Sequence, residues 1–125
     1  MTPPSIVLCN YTDSEVKAWR FLLRQFPMLK ITVVGPQQFG CKLRDLVERP
    51  QNSTSGEAPA FTGRLAVFAG AQGELLSCLI DLSRQASREK THRATMTDTN
   101  AGWTINYLYR QMEQEERQLL ARMKQ

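Results

Sequence analysis

Three short apolar runs, each followed by turn residues and then by a helical pattern, constrain this chain most. Each run has five or six residues, many of them β-branched, as buried strands do. The runs are residues 5–9, 30–34 and 64–69. A more polar alternating segment at 91–97 is predicted as a fourth strand at a sheet edge. Strands that alternate with helices favour an α/β fold with a mostly parallel sheet.

Apolar residues recur at helical spacing after each predicted strand. The positions that share a face are Val16, Trp19, Leu22, Leu23 and Phe26; Phe39, Leu43, Leu46 and Val47; Leu75, Leu76, Leu79, Ile80 and Leu82; and Trp103, Leu108, Met112, Leu119 and Met123. Asp13 or Ser14 is the expected cap of the first helix, which Pro27 ends. Thr99 or Asn100 is the expected cap of the last helix.

The chain of 125 residues fits one α/β domain. We expect a small three-layer sandwich of about four strands with a long C-terminal helix, at 100–125, that projects beyond the core. Residues 50–63 combine Pro, Gly, Ser and Thr and are predicted as a flexible surface loop. A ferredoxin-like α+β fold is the alternative if the segment after Gly35 is not helical.

Basic residues are concentrated in the first half of the chain. The net charge is +4, and residues 17–49 hold seven Lys or Arg against two Asp or Glu, a local excess of +5. This permits an anionic partner such as nucleic acid. The candidate residues are Lys17, Arg20, Arg24, Arg88, Lys90 and Arg93. We expect no exposed aromatic residues between them to stack on bases.

The sequence offers no catalytic or metal-binding constellation. Cys9, Cys41 and Cys78 are an odd number without C-x-x-C spacing and are expected to be reduced, inert thiols. His92 is the single histidine and stands among basic residues, so no metal site, catalytic residue or cofactor is predicted. No run approaches the length of a membrane span, and the start lacks a signal-peptide pattern, so we expect a cytoplasmic protein without membrane contact.

A parallel sheet would bring the turns after its strands to one edge, where ligands often bind. Four polar segments would then form a single rim; they are residues 10–13, 35–37, 70–73 and 97–100. Helix N-termini at this rim could receive an anion. Capping and turn formation explain the same residues without a ligand.

The segment from Thr95 to Ile105, T-M-T-D-T-N-A-G-W-T-I, is followed by a helix that carries Leu108 and several glutamates. It resembles the T-x-x-N-x-x-W ending of a small bacterial family known only as a domain of unknown function. The runs V-L-C-N-Y at 7–11 and A-V-F-A-G at 66–70 are similar to that family's opening and central strands. The resemblance implies no activity, but it points to Asn10, Thr97, Asn100 and Trp103.

That motif has a structural and a functional interpretation. Asn100 can cap the last helix while Trp103 covers the edge of the fourth strand. Alternatively, Asn10 and Asn100 converge over the sheet edge and bind a ligand or a peptide. The candidate ligand-binding residues are Asn10, Tyr11, Asp13, Thr97, Asn100 and Trp103.

Three functional hypotheses follow. The first is a protein-interaction or regulatory module without catalytic activity, which binds a protein partner or forms a homodimer through the last helix or the polar rim. Leu119, Leu120 and Met123 support it, because they lie beyond what a small sheet covers. The second is a basic regulator that binds nucleic acid or another anion. The third is a small-molecule-binding domain with its site at Asn10, Thr97 and Asn100.

Overall fold

The computed structural model of this chain describes residues 4–50 and 54–124, and the four predicted strands and four predicted helices form within them. The elements are β1 (Ser5–Cys9), α1 (Asp13–Leu22), β2 (Lys30–Val34), α2 (Leu43–Glu48), β3 (Arg64–Ala69), α3 (Gly73–Ala86), β4 (Thr91–Thr95) and α4 (Ile105–Met123). Single turns of 3₁₀ helix stand at Pro36–Gln38 and Asn100–Gly102. The predicted α/β class is confirmed.

The four strands form one mixed sheet in the order β2-β1-β3-β4. The outer pairs, β1 with β2 and β3 with β4, are parallel, whereas the central pair of β1 and β3 is antiparallel. Val7 stands opposite Thr32 on one side and Val67 on the other, which fixes the register. Two of the three pairings are therefore parallel, and β4 lies at an edge as expected.

The antiparallel centre reflects both the short length of α2 and the path of the segment after it, which is held against α4. A parallel crossover must carry the chain back along the whole strand, about 17–20 Å for five or six residues. The six residues of α2 span only about 9 Å. The chain instead enters β3 at the end of the sheet where β1 finishes, since Leu65 pairs with Cys9.

Helices cover both faces of the sheet, and each face has its own apolar core. On one face α1 and α3 contribute Trp19 and Leu79, which pack with Ile6 and Phe68 of the central strands. On the other face α2 and α4 pack against the alternate residues of the same strands. That second core includes Val7, Leu65, Leu43, Leu46, Ile105 and Leu108. The alternation follows from the two-residue period of the strands.

The ferredoxin-like alternative was wrong, because the segment after Gly35 is helical. A 3₁₀ turn at Pro36–Gln38 leads into α2, whose Leu43, Leu46 and Val47 are buried. This segment puts a helix on the second face of the sheet and gives the chain its third layer.

The predicted helix caps were also wrong by a few residues. Thr12 rather than Asp13 caps α1: its hydroxyl accepts the N–H of Glu15, and the Glu15 carboxylate accepts the N–H of Thr12. Such reciprocal bonds satisfy two helix N–H groups at once. At α4 the cap is Thr104, whose hydroxyl accepts the N–H of Tyr107.

The segment before β3 is held against α4. Of the loop predicted at 50–63, residues 51–53 lie outside the described part of the chain. The Phe61 ring stacks between Phe39 and Tyr109, with centroids at 4.8 and 3.9 Å. The buried Asn106 accepts the N–H of Ala60 at 2.8 Å and donates to the carbonyl of Ala58 at 2.9 Å. These contacts fasten the end of the segment to the body.

Candidate functional site

The apolar face of α4 continues past the body of the protein. Ile105 and Leu108 are buried against the sheet at the start of the helix. Leu119 follows Leu108 by eleven residues, about three helical turns, and so lies on the same face. There the exposed apolar residues are Leu119 at 57%, Leu120 at 49% and Met123 at 72%. We call residues 117–124 the α4 tip; its apolar face has no partner among the described residues.

Charge is unevenly distributed along this end of α4. The three acidic residues Glu113, Glu115 and Glu116 come first, and the basic residues Arg117, Arg122 and Lys124 follow. The helix dipole favours this order, because cations stabilise a helix C-terminus. Residues 113–116 therefore form an acidic segment of α4, and residues 117–124 form a basic one.

A second group of side chains lies where α4 leaves the sheet. Glu116 is central: its Oε1 accepts a hydrogen bond from Lys90 Nζ at 2.6 Å, and its Oε2 stands 3.5 Å from His92 Nε2. Glu113 lies one turn earlier on the same side of the helix, and one ligand atom of each acid and of His92 falls within 4.8 Å of the others. We call His92, Glu113 and Glu116 the β4–α4 cluster.

The neighbours of this cluster perturb its ionisation. The hydrogen bond from Lys90 lowers the pKa of the Glu116 carboxyl and raises the pKa of the Lys90 ammonium. Burial, together with the nearby Glu113 carboxylate, raises the pKa of Tyr109. The Tyr109 ring meets the His92 ring edge-on at 4.9 Å, which sets the plane of the imidazole.

The predicted single polar rim does not form. The central strands are antiparallel, so residues 10–13 and 35–37 follow strands that finish at one end of the sheet. Residues 70–73 and 97–100 follow strands that finish at the opposite end. Asn10 and Asn100 therefore stand at opposite ends of the sheet. The hypothesis that these two side chains converge on one ligand was wrong.

Asn100 braces a turn rather than capping α4. Its Oδ1 accepts the N–H of Thr97 at 2.7 Å, and its own N–H donates to the Thr97 hydroxyl at 3.2 Å. Its Nδ2 donates to the carbonyl of Thr95 at 3.0 Å. Both polar atoms of the Asn100 side chain are thus engaged within the turn, which accounts for the Thr-x-x-Asn spacing structurally.

Trp103 connects this turn to the rest of the fold. Its carbonyl accepts the N–H of Leu43 at 2.8 Å, and its ring contacts Tyr107 edge-on. With Ala94 and Met112 it lines a small cleft of about 270 Å³ between β4 and α4. The side chain is partly buried against the second core.

At the other end of the sheet, Asn10 ties β1 to the start of β3. It adopts a left-handed conformation with φ of 64°, and its Nδ2 donates to the carbonyl of Gly63 at 2.9 Å. Tyr11 is half-buried beside Trp19 and Thr91, and burial raises its pKa. Asp13 is exposed in the first turn of α1. The structure therefore gives Asn10 a bracing role.

The basic candidates separate into two groups. Lys17 and Arg20 are exposed on α1, and Arg24 is exposed just after it. The expectation of no exposed aromatic residue among them was wrong, because Phe21 is 62% exposed and the Arg24 guanidinium lies 3.9 Å above its ring. This exposed aromatic lay outside the apolar face that helical periodicity predicts.

The second group is mostly engaged in contacts within the fold. Arg93 is half-buried and donates to the hydroxyl of Ser83 on α3. Lys90 is paired with Glu116, and Arg88 is exposed after α3. Two of the three basic side chains of this group, Lys90 and Arg93, are therefore held by contacts within the fold.

The β4–α4 cluster is the part of the site that sequence reasoning missed. A Glu-x-x-Glu pair at 113–116 on a predicted helix was a signal that both carboxylates share one face. Nothing in the sequence placed His92 beside that face. The cysteines contribute nothing to it: Cys9 and Cys41 are buried, and burial raises the pKa of both thiols.

Comparisons with protein-family models, with curated proteins and with solved structures find no match to this chain. Within the described residues, no helix combines the length and apolar character that crossing a membrane requires.

Proposed function

We propose that this chain is an interaction module without catalytic activity, and that its α4 tip packs against the same segment of a second copy. The observation that carries the proposal is the continuity of the apolar face. The residues that bury α4 against the sheet and those of the α4 tip lie on one stripe. An apolar stripe that continues beyond the core of its own domain and stays exposed is typical of a helix that binds a partner.

Charge complementarity favours a second copy of this chain as that partner. In an antiparallel helix pair, the acidic segment of each α4 lies beside the basic segment of the other. Glu115 of one copy then approaches Arg122 and Lys124 of the second copy. A parallel pair would instead align like charges, which is destabilising. The arrangement has twofold symmetry, the commonest symmetry among homo-oligomers.

The small number of exposed apolar side chains on the α4 tip predicts a reversible dimer. Leu119, Leu120 and Met123 of two copies supply six apolar side chains that are each exposed by about half or more. Their burial contributes roughly 5–10 kcal/mol, at about 1.5–3 kcal/mol for a fully buried side chain. Association itself costs about 4–15 kcal/mol. We expect a dissociation constant of roughly tens of micromolar or weaker.

Hydrogen exchange at low and high protein concentration tests where the copies meet. The amides of residues 117–124 are expected to exchange more slowly as concentration rises. A variant with Leu119→Gln, Leu120→Gln and Met123→Gln keeps good helix formers but removes the apolar face, and should lose this protection. Phe21→Gln, at an exposed apolar residue on α1, is the matched control and should retain it. Exchange independent of concentration would contradict the proposal.

A second candidate function rests on the exposed Phe21. Exposed Lys17 and Arg20 share α1 with Phe21, and exposed Arg24 follows just after the helix. An exposed aromatic ring near several cations is typical of single-stranded nucleic-acid surfaces. The Arg24 guanidinium already covers this ring in the free chain, so a base would have to displace it or stack on it.

Binding of a labelled single-stranded RNA at two salt concentrations tests this candidate. We expect affinity to fall as salt rises, because each phosphate contact releases counterions. Arg20→Gln and Phe21→Gln should each weaken binding, while Arg84→Gln, at an exposed arginine on α3, should not. Binding that neither salt nor these variants affect would argue against α1 as the surface.

A further inference from the structure

Three potential metal ligands meet where α4 leaves the body, and two elements supply them. His92 comes from the edge strand β4, and Glu113 and Glu116 come from one face of α4. One donor atom of each residue lies within 4.8 Å of the other two, and all three residues are partly buried. The group differs from an acidic patch because an imidazole from a different element faces the carboxylates.

The spacing of these donors suits a transition-metal ion. Zinc bonds to imidazole nitrogen and carboxylate oxygen measure about 2.0–2.1 Å, so neighbouring ligand atoms of a tetrahedral site stand about 3.3–3.4 Å apart. His92 Nε2 and Glu116 Oε2 are separated by 3.5 Å. Two of the three ligands are therefore already close to the required distance, and the third is on a long side chain.

Contacts around the cluster orient its ligands. The Tyr109 ring meets the imidazole edge-on at 4.9 Å and holds it toward α4. Lys90 binds Oε1 of Glu116, which leaves Oε2 facing His92. Lys90 is 72% exposed, so its ammonium is free to withdraw when a dication approaches. Outer contacts of this kind commonly fix metal ligands in place.

We propose that His92, Glu113 and Glu116 bind a divalent transition-metal ion of the Zn²⁺ class. One nitrogen and two carboxylate oxygens suit Zn²⁺ or Co²⁺ better than Mg²⁺ or Ca²⁺, which prefer all-oxygen sites. Three protein ligands leave a fourth position for water. The ion joins α4 to β4 just before the α4 tip. This site does not depend on dimerisation, and so the inference goes beyond the proposed function.

Titration of the chelator-treated, tag-free chain with Co²⁺ and then Zn²⁺ tests the site, by absorption for Co²⁺ and by calorimetry for Zn²⁺. One ion per chain is expected. His92→Gln and Glu113→Gln should each lower the affinity about tenfold or more, because even outer-sphere substitutions commonly cost that much. Glu74→Gln, at an exposed acid on α3 outside the cluster, is the matched control and should bind as the parent does.

Two further variants show whether the ion binds at the β4–α4 cluster or elsewhere on the chain. Cys78→Ser should bind the ion unchanged; loss of binding there would assign the ion to a thiol and overturn the proposal. The triple glutamine variant of the α4 tip should also bind one ion, because the cluster lies within one chain.

Circular dichroism identifies any variant that fails to fold. If His92→Gln is such a variant, Glu113→Gln, on α4, decides the question alone. A parent chain that binds neither ion, or folded glutamine variants that bind as tightly as the parent, would refute the site.

Discussion

The Asn106 side chain accepts the N–H of Ala60 at 2.8 Å, which joins the second residue of α4 to the segment that enters β3. The same amide donates to the carbonyl of Ala58 and to the Glu57 carboxylate. Asn106 is only 1% exposed, and all these bonds lie across 46 or more residues of sequence. It therefore holds residues 57–60 in place, in a segment whose composition alone predicts a flexible loop.

Asn106→Ala is expected to destabilise the fold by about 1–3 kcal/mol, because it removes three hydrogen bonds made by a buried side chain. Urea unfolding measures the loss. Limited proteolysis should show faster cleavage between residues 54 and 61. Gln118→Ala, on the exposed end of the same helix, is the control and should change neither. Unchanged proteolysis in Asn106→Ala would mean that the stacked Phe61 alone holds the segment.

Gly63 lies directly against the hydroxyl of Tyr109, and a methyl group at Gly63 would overlap that oxygen. Gly63→Ala should therefore cost about 1–3 kcal/mol through displacement of the tyrosine ring. Tyr109→Phe removes the oxygen, and its combination with Gly63→Ala should recover most of the loss. A double-mutant cycle in urea measures this coupling. Additive losses would show that the glycine is needed for another reason.

Glu15 links α1 to β3 through Arg64, whose Nε lies 2.8 and 2.9 Å from the two carboxylate oxygens. Burial alone would raise the pKa of Glu15, but hydrogen bonds from Ser87, Thr12 and Arg64 outweigh it and hold the pKa below the ordinary value of 4.5. Because the folded-state pKa is depressed, the ionised carboxylate stabilises the fold fully at pH values above the ordinary pKa of 4.5. This stabilisation disappears as the pH falls through the folded-state pKa.

Glu15→Gln should thus lower the unfolding free energy by about 1–2 kcal/mol at neutral pH. The difference from the parent should shrink as the pH falls below about 4.5. Urea unfolding across this pH range provides the measurement. Asp81→Asn, which breaks an exposed ion pair with Arg84, is the control and should have little effect. A difference that stays constant with pH would exclude ionisation of Glu15 as its cause.

The antiparallel pairing of two α4 helices predicts a specific rescue. Glu115→Lys places like charges beside Arg122 of the second copy and should weaken dimerisation, as should Arg122→Glu. Each effect is expected to be about threefold to tenfold in the dissociation constant. Equal mixing of the two variants should restore association between unlike copies, which a fluorescence-transfer assay detects. No recovery on mixing would contradict the antiparallel arrangement.

The bounds of β1, β2 and β3 could be predicted to the residue, because each strand is a short apolar run that is followed at once by Asn10, Gly35 or Gly70. The direction of β3 could not. It depends on how far α2 and the segment after it carry the chain, and that segment binds α4 through Phe61 and Asn106. One reversed strand pairing is enough to divide the predicted rim between two ends of the sheet.

The α4 tip could be predicted from periodicity, since Leu119 and Met123 continue an apolar pattern that a small sheet cannot cover. The β4–α4 cluster could not, because His92 and Glu116 are far apart in sequence and meet only through the packing of α4 beside β4. The Asn100 turn was misassigned as a helix cap for a local reason: Thr104 competes for the same role four residues later.

The most direct test of the proposed dimer is sedimentation equilibrium of the tag-free chain over a range of concentrations. We predict a mass that rises from that of the 14.3 kDa monomer toward twice this value. The triple glutamine variant of the α4 tip should remain a monomer throughout, and Phe21→Gln should behave as the parent. A parent chain that stays at the monomer mass at every concentration, or a triple variant that dimerises equally well, would contradict the dimer.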